Sequence, residues 1–177
     1  MKNSIVALLL LSSFSFGVFA NPFVGVTVGT GKIEDSGFVD TSYETSYSAQ
    51  AGYDMHLTDL LSVSVFGEYK YHGEFEIGTM ATSDLITYSV NIMPKLYVID
   101  TFYIGTKAGL GKGDVQLKSI NGQTLQNITG DNVVVGLEAG YIVDNFTFKA
   151  GLEESNVKYK GEKISAPAGY VGVNYTF

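Results

Sequence analysis

The chain contains no cysteine, no arginine and no tryptophan, and only three prolines. Without cysteine, no disulfide can hold the fold together in any redox compartment. Without arginine, and with a formal net charge of −7, the chain lacks the clustered positive charge that phosphate backbones require. These absences exclude a disulfide scaffold and argue against nucleic acid as a partner.

Long hydrophobic runs are also missing, apart from one at the N-terminus. There, Lys2 precedes an apolar run over residues 5–11, and the segment ends in the small residue Ala20. A positive start, a short apolar centre and a small residue before the cut are typical of a secretory signal peptide. We predict that residues 1–20 are a cleaved signal peptide and that residues 21–177 form one exported domain. No later run is long enough for a membrane-spanning helix.

The chain is rich in glycine and aromatic residues, with 21 Gly, 12 Tyr and 11 Phe. Apolar and polar residues alternate with a period of two in eight segments, and this period is typical of β-strands. The eight segments are PFVGVTVGTG, TSYSAQAGYDM, LLSVSVFGEYKYH, LITYSVNIMPKL, TFYIGTKAGLGKG, NVVVGLEAGY, NFTFKAGLE and AGYVGVNYTF. The pattern therefore predicts an all-β protein of eight strands.

The connections between these segments alternate in length. Long polar connections cover residues 33–45, 73–84, 112–131 and 155–165. Short turns lie around Thr58-Asp59, Ile99-Asp100 and Asp144-Asn145. Long loops on one side and short turns on the other are typical of outer-membrane barrels. We predict an eight-stranded antiparallel up-and-down transmembrane β-barrel with both termini in the periplasm.

The polar face of the strands indicates which side points inward. It is rich in Gly, Ser and Thr, and the interior of an eight-stranded barrel has room mainly for small side chains. It also carries four acids and four lysines, and buried charges must be paired. We predict that these residues form a charge network in the lumen: Asp54, Glu68, Lys70, Lys95, Lys107, Glu138, Lys149 and Glu153.

Aromatic residues concentrate near the strand ends, which predicts two interfacial girdles. Those towards the short turns are Phe23, Tyr53, Phe102, Tyr141, Phe146 and Phe177, and those towards the long loops are Tyr47, Tyr69, Tyr71 and Tyr88. The last strand must pair with the first, because an open sheet edge in hydrocarbon leaves backbone groups unsatisfied.

With these features, the chain resembles the small eight-stranded outer-membrane barrels of Gram-negative bacteria, the OmpA-like, OmpX-like and opacity-protein group. The resemblance covers the mature chain and includes the ending YVGVNYTF. It implies that Val171, Val173, Tyr175 and Phe177 form the C-terminal signature read by the barrel-insertion machinery. It also implies an outer-membrane monomer in contact with membrane lipid and lipopolysaccharide, with loops that hold a surface ligand.

Catalytic residue types are scarce in the chain. His56 falls on a periplasmic turn, and His72 lies near the outer rim beside Glu74 and Glu76, where we interpret it as a solvated residue. We therefore expect no enzyme, no metal and no cofactor, and a structural or surface-interaction role through the loops. One alternative is a narrow porin-like channel, in which neutralising Glu138 would raise conductance. A second alternative is a soluble periplasmic lipocalin-like carrier with its apolar face inward.

Overall fold

The computed structural model describes residues 20–35, 43–77, 81–119, 124–159 and 162–177, and its regular structure is entirely β-strand. None of these residues belongs to a helix that is long and apolar enough to cross a membrane. The strands are β1 (Ala20–Gly31), β2 (Glu34–Asp35), β3 (Glu44–Thr58), β4 (Leu61–Ile77), β5 (Ala81–Ile99), β6 (Phe102–Ser119), β7 (Thr124–Val143), β8 (Phe146–Tyr159) and β9 (Glu162–Thr176).

The eight long strands form a closed antiparallel barrel. Each long strand pairs with the next one along the chain, and β1 pairs with β9 to close the ring. The two-residue strand β2 continues the line of β1 and pairs with Ser165 and Ile164 of β9. The predicted all-β, eight-stranded antiparallel barrel is confirmed. The predicted signal peptide lies outside the described residues except for Ala20, which begins β1, and its cleavage stays a prediction.

The register fixes the tilt of the strands. A row of paired residues that starts at Val28 reaches Asp114 of β6 in one direction around the barrel. In the other direction the same row reaches Ile104, ten residues earlier on β6. This offset is the shear of the barrel, and for eight strands it corresponds to a tilt of roughly 35–45°. Neighbours in one row therefore lie at different depths along the barrel axis.

The outward face of the barrel wall is an apolar band. Val26, Leu137 and Leu152 expose 57%, 57% and 67% of their surface there. No charged side chain lies among the outward positions of the band, which include Val24, Val26, Val28, Ala49, Ala51, Val63, Val65, Val90, Ile92, Ile104, Ala108, Leu110, Val133, Val135, Leu137, Phe148, Ala150, Leu152, Val171 and Val173. On β7 the uncharged outward positions continue through the aromatic edge from Val133 to Val143, which is a length that crosses a bilayer.

One end of the barrel, here named the turn end, carries the short turns at residues 59–60, 100–101 and 144–145. The opposite end is named the loop end. There the predicted loop boundaries are wrong for three of the four connections. Strands β4 to β9 continue through most of residues 73–84, 112–131 and 155–165, so the gaps between described strands are only 78–80, 120–123 and 160–161. The sequence pattern did not predict these strand extensions, because their outward residues are polar. The outward apolar residues end at the edge of the band, but the hydrogen-bonded pairing of the strands continues.

The extensions have an apolar interior instead. Ile33, Leu85, Val115, Val157 and Ala166 are each at most 6% exposed and form one cluster at the loop end, here named the apolar plug. Ile128 and Ile164 pack against it. The barrel thus changes from apolar outside and polar inside within the band to polar outside and apolar inside beyond it.

Aromatic side chains lie outward at both edges of the band. Tyr47, Tyr69 and Tyr88 are about half exposed near the loop end, and Tyr53, Tyr141, Phe146 and Phe177 are exposed near the turn end. The prediction is wrong for Phe23, which is 4% exposed and points into the lumen. Phe23 alternates out of phase with Val24 and Val26, and it packs on Phe66 at a ring-centroid distance of 5.9 Å.

Candidate functional site

The lumen contains all eight charged residues that the sequence analysis assigned to it. Seven of them are buried and Asp54 is intermediate in exposure. They come from β3, β4, β5, β6, β7 and β8, because the period of two directs every second side chain of each strand inward. The structure brings them into contact in three groups.

The central group is a chain of alternating charges that crosses the lumen. The Lys107 ammonium lies 2.5 Å from Glu68 Oε2 and 2.6 Å from Glu153 Oε2, and Glu153 also accepts a hydrogen bond from Lys70. Gln50 donates to the second oxygen of Glu68 at 3.3 Å. This chain joins strands β3, β4, β6 and β8 through side chains alone.

The second group surrounds Glu138. Its two carboxylate oxygens accept hydrogen bonds from the hydroxyls of Tyr103 at 2.7 Å and Tyr170 at 2.8 Å. Lys149 lies 3.5 Å from Glu138 and donates to Gln50 Oε1 at 2.7 Å, which links this group to the central one. Sequence reasoning missed Tyr103, Tyr170 and Gln50 as members. Their inward phase in the alternation was the only available signal.

The third group lies nearer the turn end. Lys95 donates to Asp54 Oδ2 at 2.7 Å, and Ser64 donates to Asp54 Oδ1 at 3.2 Å. The Lys95 ammonium also lies 4.7 Å from the centroid of the Tyr103 ring, a distance at which cation–π attraction operates. Asp54 is the most accessible of the eight charges, with a side chain that is 14% exposed.

These groups contact one another across the lumen. Removing charges from water costs several kcal/mol per ion, and the cost is offset only when hydrogen bonds and opposite charges surround each group. Lys107 and Glu153 have side chains that are 1% exposed, so their charges are matched by protein groups. The expectation of a lipocalin-like carrier is therefore wrong, because the interior is ionic and the apolar face is outward.

Apolar and aromatic side chains accompany the charges in the interior. The apolar plug covers the charged region at the loop end. Phe23, Phe66 and Met93 form a second cluster within that region, because Lys95 lies two residues nearer the turn end than Met93 on β5. Beyond Lys95, Tyr97 is 5% exposed and packs beside the buried Tyr103 at 5.8 Å between ring centroids.

The two histidines lie in different settings. His72 is 4% exposed, and its Nε2 is 3.0 Å from Thr87 Oγ1, so the interpretation of His72 as a solvated rim residue is wrong. It points inward because it continues the period-two phase of Glu68 and Lys70 on β4. His56 is exposed at the turn end and stacks on Tyr97 at 5.8 Å. Among the described residues, no group of three His, Asp or Glu is arranged to hold a metal ion.

Ion pairs outside the band lie near the loop end. Lys112 donates to Asp131 at 2.5 Å, and this hydrogen bond lowers the pKa of the Asp131 carboxyl from its ordinary value of 3.8. Lys118 donates to Asp84, which raises the pKa of the Lys118 ammonium. The Lys112–Asp131 pair is exposed on both sides, at 62% and 79%.

The four residues of the predicted C-terminal signature lie on the outward face of β9 and at the chain end. Val171 and Phe177 are 57% and 68% exposed. The rings of Tyr175 and Phe146 lie 5.2 Å apart, as do those of Tyr175 and Phe177. The backbone N–H of Phe177 donates to Pro22 O at 3.0 Å, so the last residue still belongs to the closing seam.

Comparison with known proteins places this architecture in a family. A family model described as the outer membrane protein beta-barrel domain matches residues 6–177. The chain belongs to this family. It is an outer-membrane protein, and its apolar band faces lipid. No curated protein sequence matches it.

Solved structures share the fold at low sequence identity. Ail, the attachment invasion locus protein of Yersinia pestis, in complex with the heparin analogue sucrose octasulfate, is 17% identical with a TM-score of 0.60, covering 89% of this chain and 99% of that one. Neisserial surface protein A is 14% identical with a TM-score of 0.66 and the same coverage. The outer membrane enzyme PagL is 13% identical with a TM-score of 0.59, covering 84% and 97%. At these identities the likeness extends to the fold alone.

Proposed function

We propose that this protein is a non-enzymatic, monomeric outer-membrane barrel with a sealed lumen, which acts as a structural element and through its loop end. The observation that carries the proposal is the lumen, where buried charged side chains bond to one another below the apolar plug. Because these side chains occupy the lumen, we assign the function to the outer surface of the barrel.

The two ends of the barrel support an orientation. The turn end has tight, exposed turns at Asp59, Asp100 and Asp144, whereas the strand extensions project beyond the band at the loop end. Outer-membrane barrels place short turns in the periplasm and longer segments outside. We therefore place both termini in the periplasm and the loop end at the cell surface. Contact with lipopolysaccharide and with the barrel-insertion machinery belongs to the same proposal.

Two structures with a similar fold support a surface role. One is an attachment invasion locus protein and another is a surface protein. A third is an enzyme, so the fold alone does not decide the activity. In this chain, the rim histidine that could have served a hydrolase is buried against Thr87, and this supports the non-enzymatic choice.

The absence of cysteine provides a clean experiment for the orientation. Single cysteines are introduced at Lys158, exposed beyond the band at the loop end, and at Asp100, exposed in a short turn. In intact cells, a membrane-impermeant maleimide should label Lys158→Cys and should label Asp100→Cys only after the outer membrane is permeabilised. Labelling of Asp100→Cys alone in intact cells would reverse the orientation and overturn the proposed surface role of the loop end.

A further inference from the structure

A groove runs along the outward wall at the closing seam, where β8, β9 and β1 meet. Its loop-end part has a volume of about 690 Å³, and there Gly169 lies between Leu152 and Thr30 in the register. A Cβ atom on Gly169 would meet no atom nearer than Leu152 Cδ2 at 3.5 Å, so the space above this residue is open. Towards the turn end, Ala150 and Val171 also line a depression of about 900 Å³. The two parts form one apolar groove, here named the seam groove.

Polar side chains border the seam groove at its loop end. On β8 the next outward residue after Leu152 is Glu154, and on β1 the next after Val28 is Thr30. Ser165 of β9 donates a hydrogen bond to Glu154 Oε1 at 2.7 Å. Hydroxyl and carboxylate groups can both hydrogen-bond to the hydroxyls of a sugar. The mouth of the seam groove therefore suits a saccharide.

Two lysines face each other above this mouth. Lys158 of β8 pairs with Lys163 of β9 in the register, and both side chains are exposed, although like charges in directly opposite positions repel each other. Lys163 lies 3.8 Å from Glu154, whereas Lys158 has no ion-pair partner in the described part of the chain. Asp131, on the other side of Lys158, is already bound by Lys112. A phosphate between the two ammonium groups would remove their repulsion and accept hydrogen bonds from both.

We propose that the seam groove and this lysine pair bind the phosphorylated saccharide lipid of the outer leaflet, the lipid A part of lipopolysaccharide. An acyl chain lies over Gly169, and a phosphate lies at Lys158 and Lys163. The inference rests on the proposed orientation and names a site for the contact with lipopolysaccharide that belongs to it. Along the barrel axis, the apolar groove, the polar mouth and the lysine pair follow one another in the order in which this lipid presents acyl chains, sugar and phosphate.

A second open glycine, on the opposite side of the barrel, provides a control. Nothing lies within 4 Å of the position that a Cβ atom would occupy on Gly67 of β4. Gly67 lies in an outward groove of about 570 Å³, and the one lysine among the residues that line this groove is Lys112. Lys112 donates to Asp131 at 2.5 Å. This groove can hold an acyl chain, but it lacks the pair of facing lysines.

The first test is native mass spectrometry of the folded barrel in detergent, with bisphosphorylated lipid A added. Gly169→Leu fills the seam groove without a backbone clash. It should lower the bound fraction by about five-fold, which corresponds to little more than one buried methylene group. Gly67→Leu is the matched control, because it places the same side chain on another open, outward glycine, and it should bind as the wild type does.

A second comparison isolates the phosphate. The wild type should bind bisphosphorylated lipid A more strongly than the same lipid after its phosphates are removed. The double variant Lys158→Gln/Lys163→Gln should bind the two forms equally. Lys118→Gln is the control, because Lys118 is another loop-end lysine but is bound to Asp84, and this variant should keep the preference.

Undiminished binding by Gly169→Leu, an equal loss in Gly67→Leu, or equal binding of the two lipid forms by the wild type would overturn the proposal. A dimer that forms without lipid and is lost in Gly169→Leu would assign the groove to a second copy of the chain instead. Heat-modifiable migration on gels confirms that each variant is folded. Binding in detergent does not depend on how the barrel is oriented in cells, so a failed lipid site and a reversed orientation in the cysteine labelling are distinguishable.

Discussion

Lys107 is the residue on which two ion pairs of the lumen depend. Its ammonium contacts carboxylates from β4 and β8, and it lies 5.6 Å from the Phe66 ring centroid. Among the described residues, removal of this one cation would leave Glu68 without a salt-bridge partner and Glu153 with Lys70 alone, inside a wall that admits little water. A buried carboxylate that loses its partner is far more costly than an exposed one.

We therefore predict that Lys107→Met lowers the free energy of unfolding by about 3–5 kcal/mol. Lys112→Met is the matched control, because its ion pair is exposed and contributes little to stability. The measurement is urea unfolding of the barrel in lipid vesicles, followed by circular dichroism. Equal losses in the two variants would mean that the lumen charges are solvated in solution.

The Lys112–Asp131 pair leads to a prediction about acid. Lys112 holds the pKa of the Asp131 carboxyl below 3.8, so the pair contributes above that pH and its contribution is lost as the pH falls through the lowered pKa. Lys112→Gln should return the Asp131 pKa towards its ordinary value in an NMR titration of the carboxyl carbon. Lys158→Gln, at the paired position on β8, should leave that pKa unchanged. An equal rise in both variants would contradict the assignment.

At the scale of the strand, the polarity of the two faces reverses beyond the band. On β8, Leu152 faces outward within the band, whereas Val157 faces inward in the extension and is 1% exposed. The hydrogen-bonded pairing of β8 continues unchanged, but the outward face of the strand passes from lipid to water beyond the band. The extension therefore folds as a water-exposed barrel does, with its apolar residues in the plug.

We predict that Leu85→Ala loosens the extension without opening the band. A buried leucine truncated to alanine costs about 2–5 kcal/mol, and the loss should be felt locally. Hydrogen exchange in detergent should accelerate for the amides of residues 81–86 and 113–117. Amides of residues 104–110 on β6, within the band, serve as the internal control. Uniform acceleration along β6 would show instead that plug and band unfold as one unit.

The same reversal explains which parts of the strands could be predicted from sequence. Within the band, the period of two assigned the faces correctly for Val24, Leu137 and Phe148, because lipid selects apolar residues on one side only. Beyond the band, Leu85 and Val115 keep the alternation but in the opposite phase, so the polar outward residues were interpreted as loops. Phe23 was misplaced because its proximity to a strand end suggested a girdle, whereas its phase places it in the lumen.

The contacts between side chains in the lumen could not be predicted from the sequence. The inward phase of Tyr103 and Tyr170 is visible in the chain, but their joint approach to Glu138 depends on the shear, which the register alone determines.

For the whole molecule, the side chains in the lumen lead to a prediction about ion conductance. In planar bilayers the wild type should show no steady conductance. If a charge gate alone closes the lumen, Glu138→Gln should raise the conductance, as the channel alternative requires. We expect no rise, because the apolar plug and the other ion pairs of the lumen remain in place. A stable open level in Glu138→Gln would favour the narrow channel over the sealed barrel.

The lumen charges also constrain how the barrel can be assembled. Lys70 of β4 meets Glu153 of β8, and Lys149 of β8 meets Gln50 of β3, so partners are separated by up to 99 positions along the chain. A half-built sheet would hold these groups without their partners, beside lipid. Only the complete ring satisfies them together. Incomplete barrels on the insertion pathway therefore contain charged side chains without their partners, which is unfavourable in a lipid environment. The closed barrel does not have this unfavourable energy, so the charge pairs favour complete closure.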